Sequence, residues 1–446
     1  MSLTPICDFV KDYCKAKTMR LHMPGHKGRV LLGPEALDIT EIEGADVLYH
    51  ANGIIRQSEQ IAADLFESGK TLYSAEGSSL CIRAMLHLVG LYARSVGKRP
   101  LIAAARNAHK VFVTAAALLD LDVCWLYPER AESLVSCRLN LTQVEDTLRT
   151  LQPAALYVTS PDYLGNPADI RALSKLCREH GALLVVDNAH GAYLKFLPAS
   201  RHPIDLGADL CCDSAHKTLP VLTGGAYLHI ARKAPALLLE HAASAMALFA
   251  STSPSYLILQ SLDQANRYLS EGYADKLAHF ILQLARARAE ICAYGYGMAG
   301  DEVLKWAIAP RCIGWRGDEL AEYLREKNVE VEFADPDFVV MMFTPEMPEA
   351  DLNQLVKLLV NVPKKEPLCE EPPLLSRPVM RMRAREALFA PQETIPASEA
   401  LGRVLAAPSV TCPPAVPVVV CGEEIDQSAI ECFAYYGIET CTVVIE

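Results

Sequence analysis

No apolar run in this chain is long enough to cross a bilayer, and most are interrupted by a charge within ten residues. The opening residues, Met1-Ser-Leu-Thr-Pro-Ile-Cys-Asp8, have neither a basic n-region nor an apolar h-region. No secretory signal is read there, and a cytoplasmic protein is expected. Basic residues are outnumbered, 42 Lys and Arg against 54 Asp and Glu, so the net charge is −12. Nucleic acid, which calls for a basic face, is not an expected partner. Cys-x-x-Cys spacing is missing, and the fifteen cysteines are odd in number. That speaks against a disulfide framework and against a zinc site; no metal is expected. No internal repeat is visible.

What the chain does have is bulk and apolar content. At 446 residues it exceeds the length at which single cores divide, so two or three domains are expected. A hydrophobic fraction of 51% and a mean hydropathy of +0.14 are high for a soluble monomer, which points to apolar surface buried in an oligomer. Residues 1–55 read as an N-terminal arm. From 56 to 290, strand-like runs such as Leu101–Ala105, Ala155–Thr159, Leu183–Val186 and Leu210–Cys212 alternate with helical patterns. That alternation predicts an α/β large domain with a mostly parallel sheet. The spacing over Leu277–Tyr294 predicts a long helix leading to a small α+β domain, 291–363. The small domain is expected to hold a helix over Asp318–Leu324, strands over Val329–Phe333 and Phe338–Phe343, and a helix over Asp351–Val360. The Pro- and charge-rich stretch 363–373 reads as a linker to a last subdomain, 374–446, with a helix around Ala397–Arg403 and a strand over Val416–Val420.

The chemistry gathers around Lys217. It lies in Asp213-Ser-Ala-His-Lys-Thr-Leu-Pro220, just after the apolar stretch Ala208–Cys212, so its amine is expected at the end of a strand. Asp187 ends the apolar run Ala182–Val186 and would project from the carboxyl edge of a parallel strand, where ligands of open α/β sheets gather. A lysine that binds an aldehyde cofactor needs a reactive amine, a partner for a cationic ring and anchors for a phosphate. Asp187 supplies the partner, while Ser214 and His216 supply phosphate donors. Gly77-Ser78-Ser79 opens an apolar helix, whose N-terminal N–H groups suit the same phosphate; plain N-capping by the serines is the competing reading.

Met23-Pro-Gly-His-Lys-Gly28, Asp38-Ile-Thr-Glu-Ile42, Arg106-Asn-Ala-His-Lys110, Asp187-Asn-Ala-His190 and Ser214-Ala-His-Lys-Thr-Leu-Pro220 stand in one order along the chain. Together they resemble the blocks of the bacterial ornithine/lysine/arginine decarboxylases, enzymes of pyridoxal phosphate fold type I built like aspartate aminotransferase. Cys412-Pro-Pro-Ala-Val-Pro417 and Gly422-Glu-Glu-Ile425 resemble that family's C-terminal blocks, so the likeness spans nearly the whole chain. It implies pyridoxal 5'-phosphate as cofactor and a homodimer or larger homo-oligomer. It also implies that His109 stacks on the cofactor ring near the substrate carboxylate, that Ala189 lies against the other face with His190 beside it, and that Thr252 in Ser251-Thr-Ser-Pro254 reaches the phosphate of a neighbouring subunit. His26 and Lys27 fit a functional loop and a plain turn equally well. Glu330 and Glu332 share a side by alternation, as a solvated face would also require. The chain departs from the family pattern at Glu76-Gly-Ser-Ser-Leu-Cys81, at Leu222-Thr-Gly-Gly225 and at Cys412–Pro417. It resembles the short forms without the N-terminal wing, so decameric assembly is not expected.

The implied activity is decarboxylation of lysine, arginine or ornithine to CO₂ and a diamine or agmatine, with catalytic duties on Lys217, Asp187, His109 and His216. One rival is another fold type I reaction, amino transfer or aldol cleavage, since fold does not settle chemistry. Arg377, Arg381, Arg383 and Arg385 are its candidate carboxylate clamps. A non-catalytic cofactor-binding relative is the other rival, disfavoured by the presence of both Asp187 and Lys217.

Overall fold

The computed structural model describes residues 3–128, 136–374, 377–411 and 417–445. Seven strands occupy the first half of the chain: β1 (Lys70–Ser74), β2 (Leu101–Ala105), β3 (Asp122–Leu126), β4 (Ala155–Thr159), β5 (Leu183–Asp187), β6 (Leu210–Asp213) and β7 (Ala226–Ile230). β2, β5, β6 and β7 are buried at every position. This is why β2 and the bodies of β5 and β6 read as unbroken apolar runs, the mark of strands covered on both faces. β1 and β3 begin on Lys70 and Asp122 and carry no such signature.

The chain divides into two compact units. The first comprises Met1–Arg99 and Ile170–Lys276, and its strands run in the order β1-β7-β6-β5. β5 and β6 are parallel, with Asp187 beside Cys212. β7 is antiparallel to both β6 and β1, and Tyr227 stands opposite both Asp213 and Tyr73. That register brings the carboxyl ends of β1, β5 and β6 to one edge. The loops bearing Gly77–Ser79, Asn188–His190 and Ser214–Lys217 all leave from it. The helix Gly77–Ser95 packs on β6, β7 and the helix Ala236–Ala247, burying Leu80, Cys81, Ile82, Met85 and Leu88. The amphipathic start of the chain forms the helix Pro5–Lys15, packed on the helices Ile54–Leu65 and Tyr256–Ser270. Asp263 of the last helix accepts from Cys7 N at 2.8 Å and from Ser58 Oγ at 2.5 Å.

The second unit comprises Pro100–Asp169 and Leu277–Glu446. Its β4-β2-β3 layer is wholly parallel. β8 (Gly297–Ala299), β9 (Lys305–Ala309), β10 (Phe333–Ala334) and β11 (Val339–Met342) form an antiparallel sheet in the order β10-β11-β9-β8, accompanied by the helices Gly317–Arg325 and Glu349–Leu359. β12 (Gln392–Pro396) pairs with β15 (Thr440–Val444), and β13 (Ser409–Thr411) with β14 (Pro417–Val420). Ala307, Val340, Val418, Val419, Phe433 and Val443 share one core in this unit.

The helix expected over Leu277–Tyr294 is present as Tyr273–Tyr294. Two small-element expectations are corrected. The strand read over Val329–Phe333 is confined to Phe333–Ala334, because Asn328 turns through φ 60° and Glu330 faces solvent. The helix read around Ala397–Arg403 is a single 3₁₀ turn, Ala397–Glu399: Gly402 adopts φ 80° and gives its N–H to Ile425 O. The Cys412–Pro417 block falls, but for Pro417, outside the described residues. The cysteines among the described residues are all free thiols. No helix there is long and apolar enough to cross a membrane.

Candidate active site

Lys217 sits in the one-turn helix Ala215–Thr218 that follows β6, half-buried, with Nζ 3.1 Å from His190 Nε2. His190 comes from the loop after β5, so two of the sequence blocks meet here. Asp187, buried at the end of β5, accepts from Ala189 N at 3.2 Å and from the Cys212 thiol at 3.7 Å. From the third loop, Ser78 meets Ser214: their hydroxyl oxygens lie 2.8 Å apart at the start of the helix Gly77–Ser95. Gly77 opens that helix with φ 71° and gives its N–H to Gly224 O at 2.7 Å. The conformation suits glycine, and nothing lies within 4 Å of where its Cβ would stand. Ser79 is half-buried beside it. Glu76 takes the N–H of Ser251 at 2.7 Å, which brings the exposed Thr252 loop to the same helix start.

His216 is turned toward backbone: Nδ1 lies 2.9 Å from Gly225 O. A carbonyl only accepts, so the Nδ1 proton points at it and Nε2 is left to face other groups. The Leu222–Gly225 departure thereby acquires a physical basis. Gly224 has φ 98°, and a Cβ on Gly225 would come within 2.3 Å of Val221 Cγ1.

A layer deeper lie residues to which the sequence assigned no role. Asp213, fully buried, accepts from Asn188 Nδ2 at 2.7 Å and His202 Nε2 at 3.0 Å, with His229 Nε2 3.3 Å away. Burial opposes its charge, yet the two histidines prevail and hold the carboxyl well below the usual carboxylate range. Burial in turn pushes His229 down, toward the neutral imidazole. Asp213 stands four residues before Lys217 and His229 lies within β7, but their meeting depends on strand register, which a single sequence does not display.

In the second unit, His109 caps the helix Lys110–Leu118, its Nδ1 accepting from Val111 N at 3.2 Å. Three residues earlier, Arg106 is wholly buried and grips Glu423 through two 2.7 Å bonds. Two further N–H groups go to Pro417 O and Val418 O. The blocks at 106–110 and 422–425 are thus the two halves of one ion pair. The arginines that an aminotransferase reading needs are engaged elsewhere: Arg381 with Glu424, Arg383 with Asp120 and Asp122, Arg385 with the carbonyls of Ala117 and Leu118, and Arg377 over the ring of Tyr127. Glu332 accepts from the Tyr163 hydroxyl at 3.1 Å.

The blocks at 23–28 and 38–42 are likewise joined within the first unit. His26 Nε2 lies 3.2 Å from Asp38 Oδ2, while its Nδ1 accepts from Gly28 N at 2.9 Å. His26 therefore braces its own loop, and Lys27 donates back to His22 O at φ 54°.

An amine, a buried carboxylate, a helix start with open space at Gly77, and paired serine hydroxyls form the donor set a phosphorylated pyridine aldehyde requires, so the residues fit pyridoxal phosphate. The fold agrees. Lysine decarboxylase from Pseudomonas aeruginosa superposes with a TM-score of 0.83 at 16% identity, covering 99% of this chain and 80% of that one. Francisella novicida lysine decarboxylase gives 0.80 at 17%, covering 99% and 81%. The architecture is that of the fold type I decarboxylases. Residues 4–300 match the Orn/Lys/Arg decarboxylase major domain, and the chain belongs to that family of decarboxylases. It is 30% identical to the arginine decarboxylase of Bacillus subtilis over 96% of this chain and 92% of that protein, and 28% identical to that of Halalkalibacterium halodurans over 95% and 91%.

Proposed function

We propose that this protein is a pyridoxal-phosphate-dependent decarboxylase of a basic amino acid, releasing CO₂ and a diamine or agmatine. The observation that carries the reading is the convergence of Lys217, Asp187 and the Ser78–Ser214 pair on one sheet edge. When bound, the cofactor supplies an electron sink for the pair left as the Cα–carboxylate bond breaks. Lys217 provides the covalent anchor through Nζ. His190, within hydrogen-bond reach, can take or return a proton there. Asp187 would hold the ring nitrogen protonated, and Gly77, Ser78, Ser79, Ser214 and His216 would hold the phosphate, with Thr252 a donor to the phosphate of the neighbouring subunit. Ala189 is small enough to lie against the ring, and His109 serves beside the substrate carboxylate. Lys217 or His216 returns the proton to Cα.

Arginine is the first substrate to test, since the relatives above are named arginine decarboxylases. A cytoplasmic homodimer is part of the proposal, as is the division at 55, 290 and 363. Exposed Met19, Leu21, Val30, Leu31 and Leu32 give the arm an apolar surface suited to a second copy. The test is incubation of purified protein with pyridoxal phosphate and arginine, lysine or ornithine in turn, assaying CO₂ and amine. Amine formed without any 2-oxo acid acceptor is the expected result. Acceptor-dependent transfer without CO₂, or no turnover despite bound cofactor, overturns it.

A further inference from the structure

The deeper layer under Lys217 is more than filling. Asn188 follows Asp187 and precedes Ala189 and His190; Asp213 precedes Ser214 and Lys217. Their 2.7 Å bond is therefore a tie between the two loops that carry the chemistry. Both side chains are wholly buried, in a medium where such a bond is strong and its loss costly. The far oxygen of Asp213 is fixed by His202 from the turn before the short helix Pro203–Leu206, and flanked by His229 from β7. His202 Nδ1 accepts from Ile204 N at 3.4 Å, so its proton resides on Nε2, facing the carboxylate. The acceptor end of the tie is thus anchored from two further elements.

Gly191 gives an independent sign that the donor end is built to fit. A Cβ there would stand 2.0 Å from Asn188 Oδ1, 2.7 Å from its Cγ and 2.7 Å from Leu194 Cδ1. The conformation of Gly191, φ −122°, is open to other residues, so the space itself is what glycine provides. A side chain at 191 would have to push Asn188 aside, disturbing its bond to Asp213, and would crowd Leu194 as well.

We propose that Asn188 and Asp213, with Gly191 making room, are positioning residues that set the separation of Asp187 and His190 from Ser214 and Lys217. Neither touches the reacting atoms in this scheme; they act through the residues that follow them. The inference rests on the cofactor reading above, and the experiment separates the two. Wild type, Asn188→Ala, Gly191→Ala and the double variant are titrated with pyridoxal phosphate. The dissociation constant, the pH midpoint of the visible band of the bound cofactor, and the melting temperature of the cofactor-free protein are read for each. Asn188→Ala is expected to weaken cofactor binding about tenfold and to move the pH midpoint by about half a unit or more, because Nζ and the carboxylate no longer hold their separation. Gly191→Ala should reproduce both shifts, and the double variant should go no further than the larger single one, since both act through one bond. A purely structural role lowers the melting temperature and leaves the midpoint and affinity of the folded protein at wild-type values, and that result overturns the proposal. Additive effects of the two substitutions overturn it as well. Absence of any visible band in the wild type is failure of the cofactor reading instead.

Discussion

Lys217 and Asp187 carry the sharpest expectations at the scale of single residues. Lys217→Ala should leave no borohydride-fixable cofactor, and a reducible yellow adduct persisting in that variant would refute the anchor. Asp187→Asn should retain cofactor yet lose turnover by roughly 10³-fold, equivalent to about 4 kcal/mol of transition-state stabilisation; steady-state rates decide it. Both residues were legible because Asp187 closes an apolar run and Lys217 follows one within a few residues, and a strand end is a place sequence can mark. Asn188, His202 and His229 were not. Their significance comes from which strand lies beside which, and the role of Gly191 comes from a volume left empty.

Helices and strands bring in the ionic ties. Burial pushes the Asp263 carboxyl up to about 6, above its ordinary 3.8. An acid whose folded pKa is raised keeps its proton in the folded state after the unfolded chain has lost it. Stability from this site is therefore greatest below about pH 4, and falls as pH rises toward 6. Asp263→Asn should flatten that slope in denaturant midpoints taken from pH 4 to 7, and the helix Pro5–Lys15 should report it first, since Cys7 N is held by this carboxyl. The Arg106–Glu423 pair stabilises through two buried charges held together. Removing one partner, as in Glu423→Leu, strands a buried guanidinium and should cost about 3–5 kcal/mol, while Arg106→Met with Glu423→Leu should recover most of it. Chemical denaturation of the wild type and the two variants tests this. The sequence displayed both blocks as chemistry-bearing strings, yet one arginine and one glutamate of them serve to hold the subdomain together. Long elements such as Tyr273–Tyr294 follow from periodicity alone, whereas the short pieces at 329–333 and 397–403 yield to a single residue at positive φ.

For the whole molecule, a chain of 446 residues exceeds the size at which a single all-or-none unfolding step is usual. Pyridoxal phosphate should raise the melting transition, by an amount that grows with ligand concentration. Calorimetry with and without cofactor resolves this. Sedimentation should return twice the 48.8 kDa chain mass if the arm's apolar surface meets a second copy.

The carboxylates of this edge also govern sulfur. Cys81, Cys211 and Cys212 lie buried among them, and burial together with Asp187 and Asp213 pushes all three thiols up. Oxidants and alkylating agents attack the thiolate, so these sulfurs are silent while the fold is closed, and reagents meet the exposed Cys292, Cys312 and Cys369 first. Protecting those three with a reversible cap leaves the inner trio as a latent probe. Iodoacetamide labelling along a denaturant series, read by peptide mass, then times the opening of the pocket without cofactor, substrate or chromophore.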